Sequence, residues 1–320
     1  MAVDSRTEFS TPSIRSEMET SNFYLEPWVG EYHLHGISRT VVSTRTKYQR
    51  IDIVDTPNYG RCLFLDQRLQ SSEMDSFIYH EALVHPPMIL HPHPRKVMIV
   101  GGGEGETLRD ILKHFTVERA VMVDIDRQMV EFCRRELPQW SGGAFADKRT
   151  KLVFMDARAY LEKTKETFDV IIIDLTEPVE GGPSLKLYTR EFYHLVHRRL
   201  STQGLMTLQA ANARPGDTAM LTTIARTISC AFPVVRAYQV GIPSFGLPWG
   251  FIMGSKAADP LTYSPAQIDR LIRMRGLKKL EYYDGITHLG MFAIPKFLRR
   301  DLDRQKSIIT DRKLLATKFQ

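Results

Sequence analysis

Beyond residue 92 the chain alternates short, unbroken apolar segments with amphipathic ones. The apolar segments are 97–100, 120–125, 152–154, 170–173 and 205–208. Between them, apolar side chains recur at helical spacing, as in Leu108, Ile111 and Leu112. Strands that alternate with helices and are apolar on both faces are typical of a parallel sheet with helices on either side. The pattern therefore predicts a doubly wound α/β domain.

The segment before this region follows a different pattern. Residues 32–65 alternate polar and β-branched side chains around a Pro-Asn-Tyr-Gly turn at 57–60, which predicts an antiparallel β meander. The spacing of Ser72 and Asp75 resembles a capping box and predicts a helix that ends at Pro86 and Pro87. The predicted divisions are a disordered arm (1–22), a β domain with its closing helix (23–92), the α/β domain (93–295) and a basic tail (296–320).

Composition excludes several classes of protein. The net charge of +6 is mild for 320 residues, and the tail from 296 holds eight Lys or Arg against three Asp. Without a recognisable binding module, that charge does not indicate a nucleic-acid partner. The apolar runs are far shorter than the roughly 20 residues of a membrane helix. Cys62, Cys133 and Cys230 form no CxxC pair, which favours free thiols and a reducing, cytoplasmic location.

The strongest local motif is a buried strand that runs into a glycine-rich turn and a helix, at 97–109. Glycines there let a ligand approach the backbone closely, although a tight turn without a ligand is the alternative. A dinucleotide motif beginning at Gly101 would need glycine where Glu106 stands. Glu104, inside the turn, would repel phosphate. Gly101, Gly103 and Glu104 therefore predict contacts with a cationic ligand.

Acidic residues follow the next two strands, at the sheet edge where open α/β folds bind ligands. Asp124 lies 23 residues after Gly101 and is placed to accept hydrogen bonds from a ribose diol. Asp126 is better explained as a helix N-cap. Asp156, followed by Ala157, is suited to an adenine amino group, with an N-cap as the alternative. These residues describe an adenosyl site without phosphates, and hence a sulfonium ligand of the S-adenosyl type.

Two carboxylates, Asp174 and Glu177, follow the fourth strand. An amine nucleophile is protonated at neutral pH, since an alkylammonium has a pKa of about 10.4. A carboxylate can bind this cation and accept its proton. Asp174 is therefore the predicted base, whereas Glu177 could also be a solvated loop acid. The histidines show no metal-binding spacing, so no metal site is predicted.

Together these motifs resemble the polyamine aminopropyltransferases, the spermidine, spermine and thermospermine synthases, over about residues 24–253. The segments that carry the resemblance include 65–70 (Leu-Asp-Gln-Arg-Leu-Gln), 79–81 (Tyr-His-Glu), 101–105 (Gly-Gly-Gly-Glu-Gly), 174–178 (Asp-Leu-Thr-Glu-Pro) and 242–245 (Ile-Pro-Ser-Phe). The resemblance implies a Rossmann-like, class I methyltransferase-type sheet with a small N-terminal antiparallel β domain. It also implies decarboxylated S-adenosylmethionine as co-substrate, no cofactor, and 5′-methylthioadenosine as product.

The resemblance further implies a role for each matching residue. Asp174 corresponds to the catalytic base and Tyr79 to its hydroxyl helper. The implied donor-binding residues are Gln70, His80, Gly101, Gly103, Glu104, Asp124, Asp156 and Ala157. The implied amine-binding residues are Glu177, Gln209 and Gln239. A homodimer or homotetramer is expected, and Phe23, Tyr24 and Trp28 are predicted to pack in the β domain or to extend an oligomer interface.

The acceptor amine is predicted from departures within the family. Gln239 stands where spermidine synthases usually carry Tyr, which implies room for a longer amine. Glu104 and the loop at 179–183 look more like thermospermine synthases, so spermidine is the expected acceptor and thermospermine the product. Spermidine or spermine synthesis is the alternative. An S-adenosylmethionine methyltransferase is disfavoured because Glu104 and Asp174 would oppose the methionine carboxylate. A silent paralogue is disfavoured because Asp174 and Tyr79 are present.

Overall fold

The computed structural model describes residues 22–28 and 30–315. Except for Asn22, the predicted N-terminal arm lies outside the described residues. The described chain contains a small antiparallel β domain followed by a larger α/β domain, as the sequence predicts. None of the helices within the described ranges combines the length and hydrophobicity that a membrane span needs.

The β domain consists of a hairpin and a four-stranded meander. The strands are β1 (Asn22–Trp28), β2 (Glu31–Ile37), β3 (Arg39–Arg45), β4 (Arg50–Thr56), β5 (Gly60–Leu65) and β6 (Arg68–Ser72). β1 pairs with β2, and β3 to β6 pair antiparallel in sequence order. The predicted meander is therefore confirmed.

A seven-stranded sheet forms the centre of the α/β domain. Its strands are β7 (Lys96–Gly101), β8 (Arg119–Asp124), β9 (Thr150–Phe154), β10 (Phe168–Asp174), β11 (Leu200–Asn212), β12 (Val234–Ile242) and β13 (Leu247–Ser255). Their order is β12-β13-β11-β10-β7-β8-β9. The five predicted strands, β7 to β11, run parallel, and β13 runs against them. Glycines and prolines within 241–250 obscure the strand pattern of the last two.

Helices cover both faces of this sheet. They are α1 (Ser76–Leu90), α2 (Glu106–Leu112), α3 (Arg127–Glu136), α4 (Pro138–Ser141), α5 (Ala157–Lys163), α6 (Arg190–Arg199), α7 (Ala219–Ile228), α8 (Pro265–Met274), α9 (Gly285–Phe292) and α10 (Lys296–Arg304). In β7, Val97 and Ile99 pack into a core with α1, α2, α8 and α9. Met98 and Val100 pack on the opposite face with α5, α6, α7 and α10. The alternation of side chains along a strand produces the two cores.

The basic tail is part of this fold as far as residue 315. α10 buries Leu298 and packs against α7. Ile309 is also buried. Asp311 accepts two hydrogen bonds from Arg158, each 2.7 Å long. Seven of the eight basic residues of the tail therefore lie in a segment that is docked on the α/β domain.

α1 differs from its prediction at both ends. Its N-cap residue is Asp75, but the Asp75 carboxylate accepts hydrogen bonds from Ser72 and Ser244 and does not cap the helix. The helix continues through both prolines to Leu90 and packs on α2 and on β10 to β12. It is therefore built into the α/β domain, whereas the sequence predicts that it closes the β domain.

The prolines are tolerated because hydroxyl groups replace the hydrogen bonds that they remove. A proline inside a helix lacks the N–H that would bond to the carbonyl four residues earlier. The carbonyls concerned belong to Ala82 and Leu83. Tyr238 donates its hydroxyl to the Ala82 oxygen over 2.9 Å. Thr207 donates to the Leu83 oxygen, also over 2.9 Å. The central sheet therefore satisfies both carbonyls, which the local sequence could not indicate.

This arrangement predicts that replacing Thr207 with Val destabilises the protein. Thr207 is fully buried, and Val keeps its shape but leaves the Leu83 carbonyl without a donor. An unsatisfied buried acceptor costs about 1–3 kcal/mol, which would appear as a lower free energy of unfolding in urea. Thr207→Ser retains the hydroxyl and is the matched control. If the Thr207→Val variant were as stable as the wild type, the Thr207 hydroxyl would not be needed for the helix to tolerate its prolines.

Candidate active site

A cavity of about 730 Å³ opens at the carboxyl ends of the parallel strands. After β7 the chain forms β8 and β9 on one side of that strand, and it then crosses over to form β10 on the other side. Open α/β sheets bind ligands at the point where the strand order reverses in this way. The cavity lining follows the sheet order. Asp124 and Asp156 lie at the β9 end, Asp174 lies at the centre, and Gln209 and Trp249 lie at the β13 end.

The structure brings eleven of the thirteen predicted site residues to this cavity. They are Gln70, Tyr79, Gly101, Gly103, Glu104, Asp124, Asp156, Ala157, Asp174, Glu177 and Gln209. The prediction of direct contact fails for His80, which is fully buried behind Glu104. It also fails for Gln239, which lies between Tyr238 and Val240 in β12. Because those two side chains are buried in the core, Gln239 faces the opposite side of the strand, away from the cavity.

The glycine-rich turn is packed directly against Asp174. Gly101 has φ +83°, and a Cβ there would come within 2.2 Å of the Asp174 carbonyl oxygen. Gly102 donates its N–H to the same oxygen over 2.9 Å. At Gly103 a Cβ would lie 3.1 Å from the Asp124 carboxylate and 2.6 Å from the Met129 sulfur. The glycines therefore allow the turn to approach two of the strand-end acids.

Both carboxylate oxygens of Asp174 accept hydrogen bonds. Tyr79 donates its hydroxyl to Oδ1 over 2.7 Å, and Thr107 donates to Oδ2 over 2.6 Å. Burial and the negative charge of Glu104 raise the pKa of Asp174 to about 6, although His80 and the two hydroxyls oppose this shift. A base whose pKa lies close to neutrality can both accept and release a proton there. Asp174 has the geometry and the pKa of such a base.

Two further acids in the cavity have raised pKa values. Burial raises the pKa of Asp124 to about 7, although the N–H of Asp126 donates to its carboxylate over 2.8 Å. Burial also raises the pKa of Glu177 to about 7, while the charge of Arg68 lowers it. A cation that enters the cavity would favour the ionised form of these groups. The cavity is therefore electrostatically suited to a positively charged ligand.

The acids after β8 and β9 also cap the helices that follow. Asp126 accepts the N–H of Met129 over 3.1 Å, which confirms its interpretation as an N-cap. Asp156 accepts the N–H of Ala159 over 2.7 Å and also lines the cavity. A capping role and a ligand contact are thus compatible at Asp156.

His80 is held between two carboxylates. Its Nδ1 lies 2.8 Å from the Ser76 carbonyl oxygen and 3.3 Å from Glu106, and its Nε2 lies 3.0 Å from Glu104. Carbonyl and carboxylate oxygens accept hydrogen bonds, so the ring donates at both nitrogens, as an imidazolium does. Burial lowers the pKa of His80, but Glu106 and Glu104 outweigh it and raise the pKa to about 9. His80 therefore positions Glu104 from behind the cavity wall.

His80, Glu104 and Asp174 could together hold a cation. One ligand atom from each lies within 4.8 Å of the others. A metal ion would require the Nε2 lone pair of His80, which is directed at Glu104 as a donor in this arrangement. The two carboxylates can bind an organic cation, such as an ammonium or a sulfonium, without that change. The geometry favours the organic cation.

Gln209 lines the cavity but already uses both ends of its amide. Its nitrogen donates to the Leu175 carbonyl, and its oxygen accepts the N–H of Ala211 over 3.1 Å. These contacts hold the backbone that follows Asp174. In this structure Gln209 is thus placed as a support for the strand end, and the sequence predicts it as an amine ligand.

The β13 end of the cavity contains residues that the sequence did not single out as ligands. Trp28, Arg68, Phe245 and Trp249 line it. The rings of Phe245 and Trp249 lie 4.9 Å apart, and those of Trp28 and Trp249 lie 6.4 Å apart. Arg68 could have been found, because it lies two positions before Gln70 and strand side chains alternate with period two. By contrast, the contact between Trp28 and Trp249 joins distant parts of the sequence and forms only in the tertiary fold.

Comparison with known proteins identifies the family of this chain. The family model described as "Spermine/spermidine synthase domain" matches residues 76–263, and that of the "Spermidine synthase tetramerisation domain" matches 30–73. A polyamine aminopropyltransferase from Sulfurisphaera tokodaii is 40% identical over 280 residues, which cover 88% of this chain and 92% of that one. One from Pyrobaculum calidifontis is 46% identical over 256 residues, covering 78% and 87%.

Solved structures show the same fold. The spermidine synthase from Thermotoga maritima has a TM-score of 0.81 and 34% identity, and the match covers 89% of this chain and 96% of that one. A spermidine synthase in complex with the transition state analogue AdoDATO has the same TM-score and coverage at 35% identity. The chain therefore belongs to the spermine/spermidine synthase family of polyamine aminopropyltransferases. Its particular likeness to thermospermine synthases stays a prediction.

The charge of His80 predicts a pH-dependent contribution to stability. The pKa of His80 is about 9 in the folded protein, above its ordinary value of 6.5. The stabilisation is thus complete below pH 6.5 and is lost as the pH rises through 9. We expect His80→Gln to unfold at a lower urea concentration than the wild type at pH 6, with a gap that closes towards pH 10. His93→Gln, at an exposed position, is the control. A gap that is constant with pH would contradict the charged state.

Proposed function

We propose that this protein transfers an aminopropyl group from decarboxylated S-adenosylmethionine to an amine of a polyamine, releasing 5′-methylthioadenosine. The observation that carries the proposal is the position of Asp174 at the centre of the cavity, held by Tyr79 and Thr107. On one side of it lie Asp124 and Asp156, which suit an adenosyl group. On the other side the cavity is aromatic and acidic, which suits an alkylammonium.

The donor is proposed to bind at the β9 end. There Asp124 would accept hydrogen bonds from the ribose, and Asp156 from the adenine amino group. The glycine turn would lie along the donor, with Glu104 near its cationic groups. Because Glu104 and Asp174 would repel a methionine carboxylate, the decarboxylated donor is favoured over S-adenosylmethionine itself. This distinguishes aminopropyl transfer from methyl transfer in the same framework.

The chemical step follows from the placement of Asp174. Its carboxylate accepts a proton from the acceptor ammonium, which frees the nitrogen lone pair. The nitrogen attacks the aminopropyl carbon that is bonded to the sulfonium. A C–N bond forms as the C–S bond breaks, and the electron pair of that bond returns to sulfur. Because the leaving group is a neutral thioether, the sulfonium supplies its own activation and the proposal includes no cofactor or metal.

Two acceptors have support. The sequence prediction is spermidine, with thermospermine as product, and Glu177 offers a carboxylate beyond Asp174 for an additional ammonium. The part of that prediction that rests on Gln239 loses its support, since the side chain lies away from the cavity. Putrescine, with spermidine as product, is supported by the two solved spermidine synthases that share this fold. Both belong in the activity test.

We expect purified protein to release methylthioadenosine from decarboxylated S-adenosylmethionine in the presence of one or more of putrescine, spermidine and spermine. Asp174→Asn should lower the rate by about 10²–10⁴-fold, because the proton acceptor is lost, while methylthioadenosine binding is retained. Asp303→Asn, an exposed change on α10, is the control. The product amine is identified by chromatography. Turnover with S-adenosylmethionine as the only accepted donor would contradict the proposal. So would an Asp174→Asn variant whose rate equals that of the wild type.

We also propose that the protein assembles as a homotetramer through the β1–β2 hairpin. The match of residues 30–73, which include β2, to a tetramerisation domain supports this proposal. One face of the hairpin presents exposed apolar side chains: Phe23, Leu25, Tyr32 and Leu34. Leu25 and Leu34 lie directly opposite each other in the strand register. A continuous exposed apolar patch of this kind is typical of an interaction surface.

For this surface we expect light scattering to report four chains per particle for the wild type and fewer for Leu34→Glu, because a buried charge opposes the contact. Leu261→Glu changes an equally exposed leucine outside the hairpin and should leave the mass unchanged. A monomeric wild type, or a Leu34→Glu variant that stays tetrameric, would contradict the proposed interface.

A further inference from the structure

Arg68 is a buried cation in the wall of the cavity that has no part in the chemistry proposed above. It begins β6, lines the cavity and is only 8% exposed. The carbon of its guanidinium lies 4.3 Å from the centre of the Trp28 ring, in cation–π geometry. Trp28 contacts Trp249, the residue that β13 contributes to the cavity. Arg68 therefore lies at the β13 end, on the far side of Asp174 from the proposed donor site.

The charges around Arg68 show which ligand groups it affects. Burial lowers the pKa of Arg68, whereas the negative charges of Glu177 and Glu26 raise it, and Arg68 in turn lowers the pKa of Glu177. Glu26 is held in place, because it accepts the N–H of Leu69 over 3.0 Å and lies 2.7 Å from His35. Asp217 adds negative charge near Glu177. Arg68 thus places a positive charge beside Glu177, the carboxylate that would bind the ammonium of the acceptor that is further from Asp174.

The length of the acceptor decides how strongly this cation matters. With its attacking nitrogen at Asp174, a diamine would place its second ammonium towards Glu177. A triamine would extend a third charged group further along, towards the β13 end, where the guanidinium is stacked on Trp28. Like charges repel, and the burial of the guanidinium limits how far solvent can screen this repulsion. Displacing Arg68 would also cost its stacking contact and its interactions with Glu26 and Glu177.

We propose that Arg68 determines acceptor length: its guanidinium occupies the position of the third cation, so that the site accepts a diamine and disfavours a triamine. The inference rests on the proposed aminopropyl transfer and narrows its substrate to the putrescine class. Arg68 is a specificity residue here, and it takes no part in proton transfer. Its location on β6 makes the β domain a contributor to acceptor choice.

The test compares kcat/KM for putrescine and spermidine, measured as methylthioadenosine release at a fixed donor concentration. The wild type should prefer putrescine. Arg68→Met removes the charge and keeps much of the side-chain length, and it should raise the spermidine-to-putrescine ratio about tenfold or more. Arg68→Lys keeps the charge and should retain a ratio close to that of the wild type. Arg39→Met, at a residue whose side chain is 63% exposed, is the control for loss of a surface charge.

The outcomes separate the inference from the activity on which it rests. No release with any amine would overturn both. Release with an unchanged ratio in Arg68→Met, or a wild type that prefers spermidine, would overturn the role of Arg68 alone. Methylthioadenosine binding by calorimetry shows that each variant retains a folded donor site. If Arg68→Met does not fold, Arg68→Gln, which keeps hydrogen-bonding capacity without charge, takes its place with the same expected direction.

Discussion

The active-site arrangement depends on the contact between the glycine turn and the end of β10. β7 and β10 are neighbours in the sheet, and their register pairs Gly101 with Asp174. The turn can lie flat against the Asp174 backbone only because position 101 has no Cβ and a positive φ. This contact brings the N-terminus of α2, with Thr107, to the Asp174 carboxylate. One backbone contact thus positions both the proposed base and one of its hydrogen-bond donors.

Acidic residues line the cavity, and two cationic side chains of the protein partly offset their negative charge. Burial raises the pKa values of Asp124, Asp174 and Glu177 above those of free carboxylic acids. His80 behind Glu104 and Arg68 beside Glu177 supply positive charge at opposite parts of the wall. His80 cannot touch a ligand because it is fully buried, whereas Arg68 lines the cavity. His80 is therefore placed to position Glu104, and Arg68 is placed to act on a ligand directly.

Much of this site could be predicted from the sequence, for a definite physical reason. Parallel strands end at one edge of a sheet, so a residue that follows an apolar segment, such as Asp124 or Asp174, is placed by periodicity alone. Residues whose role depends on which face of a strand carries their side chain were predicted less well. Gln239 is one residue out of phase with the buried side of β12, and a shift of one residue reverses the face. Arg68 belongs to a quoted motif, but its stacking on Trp28 joins segments that only folding brings together.

α1 illustrates why tertiary contacts decide the rest. Three consecutive residues of this helix bind three different parts of the molecule: Tyr79 binds Asp174, His80 binds Glu104, and Glu81 accepts N–H groups from Glu281, Tyr282 and Tyr283. In a helix, successive side chains point about 100° apart, so these anchors surround the axis. The helix cannot rotate without breaking at least one of them.

The hydroxyls that complete the helix at its prolines come from β11 and β12, the same sheet that presents Gln209 to the cavity. The residues that position Asp174 are therefore fixed by the core as a whole, which explains how a helix that contains two prolines can serve as a rigid wall of the cavity.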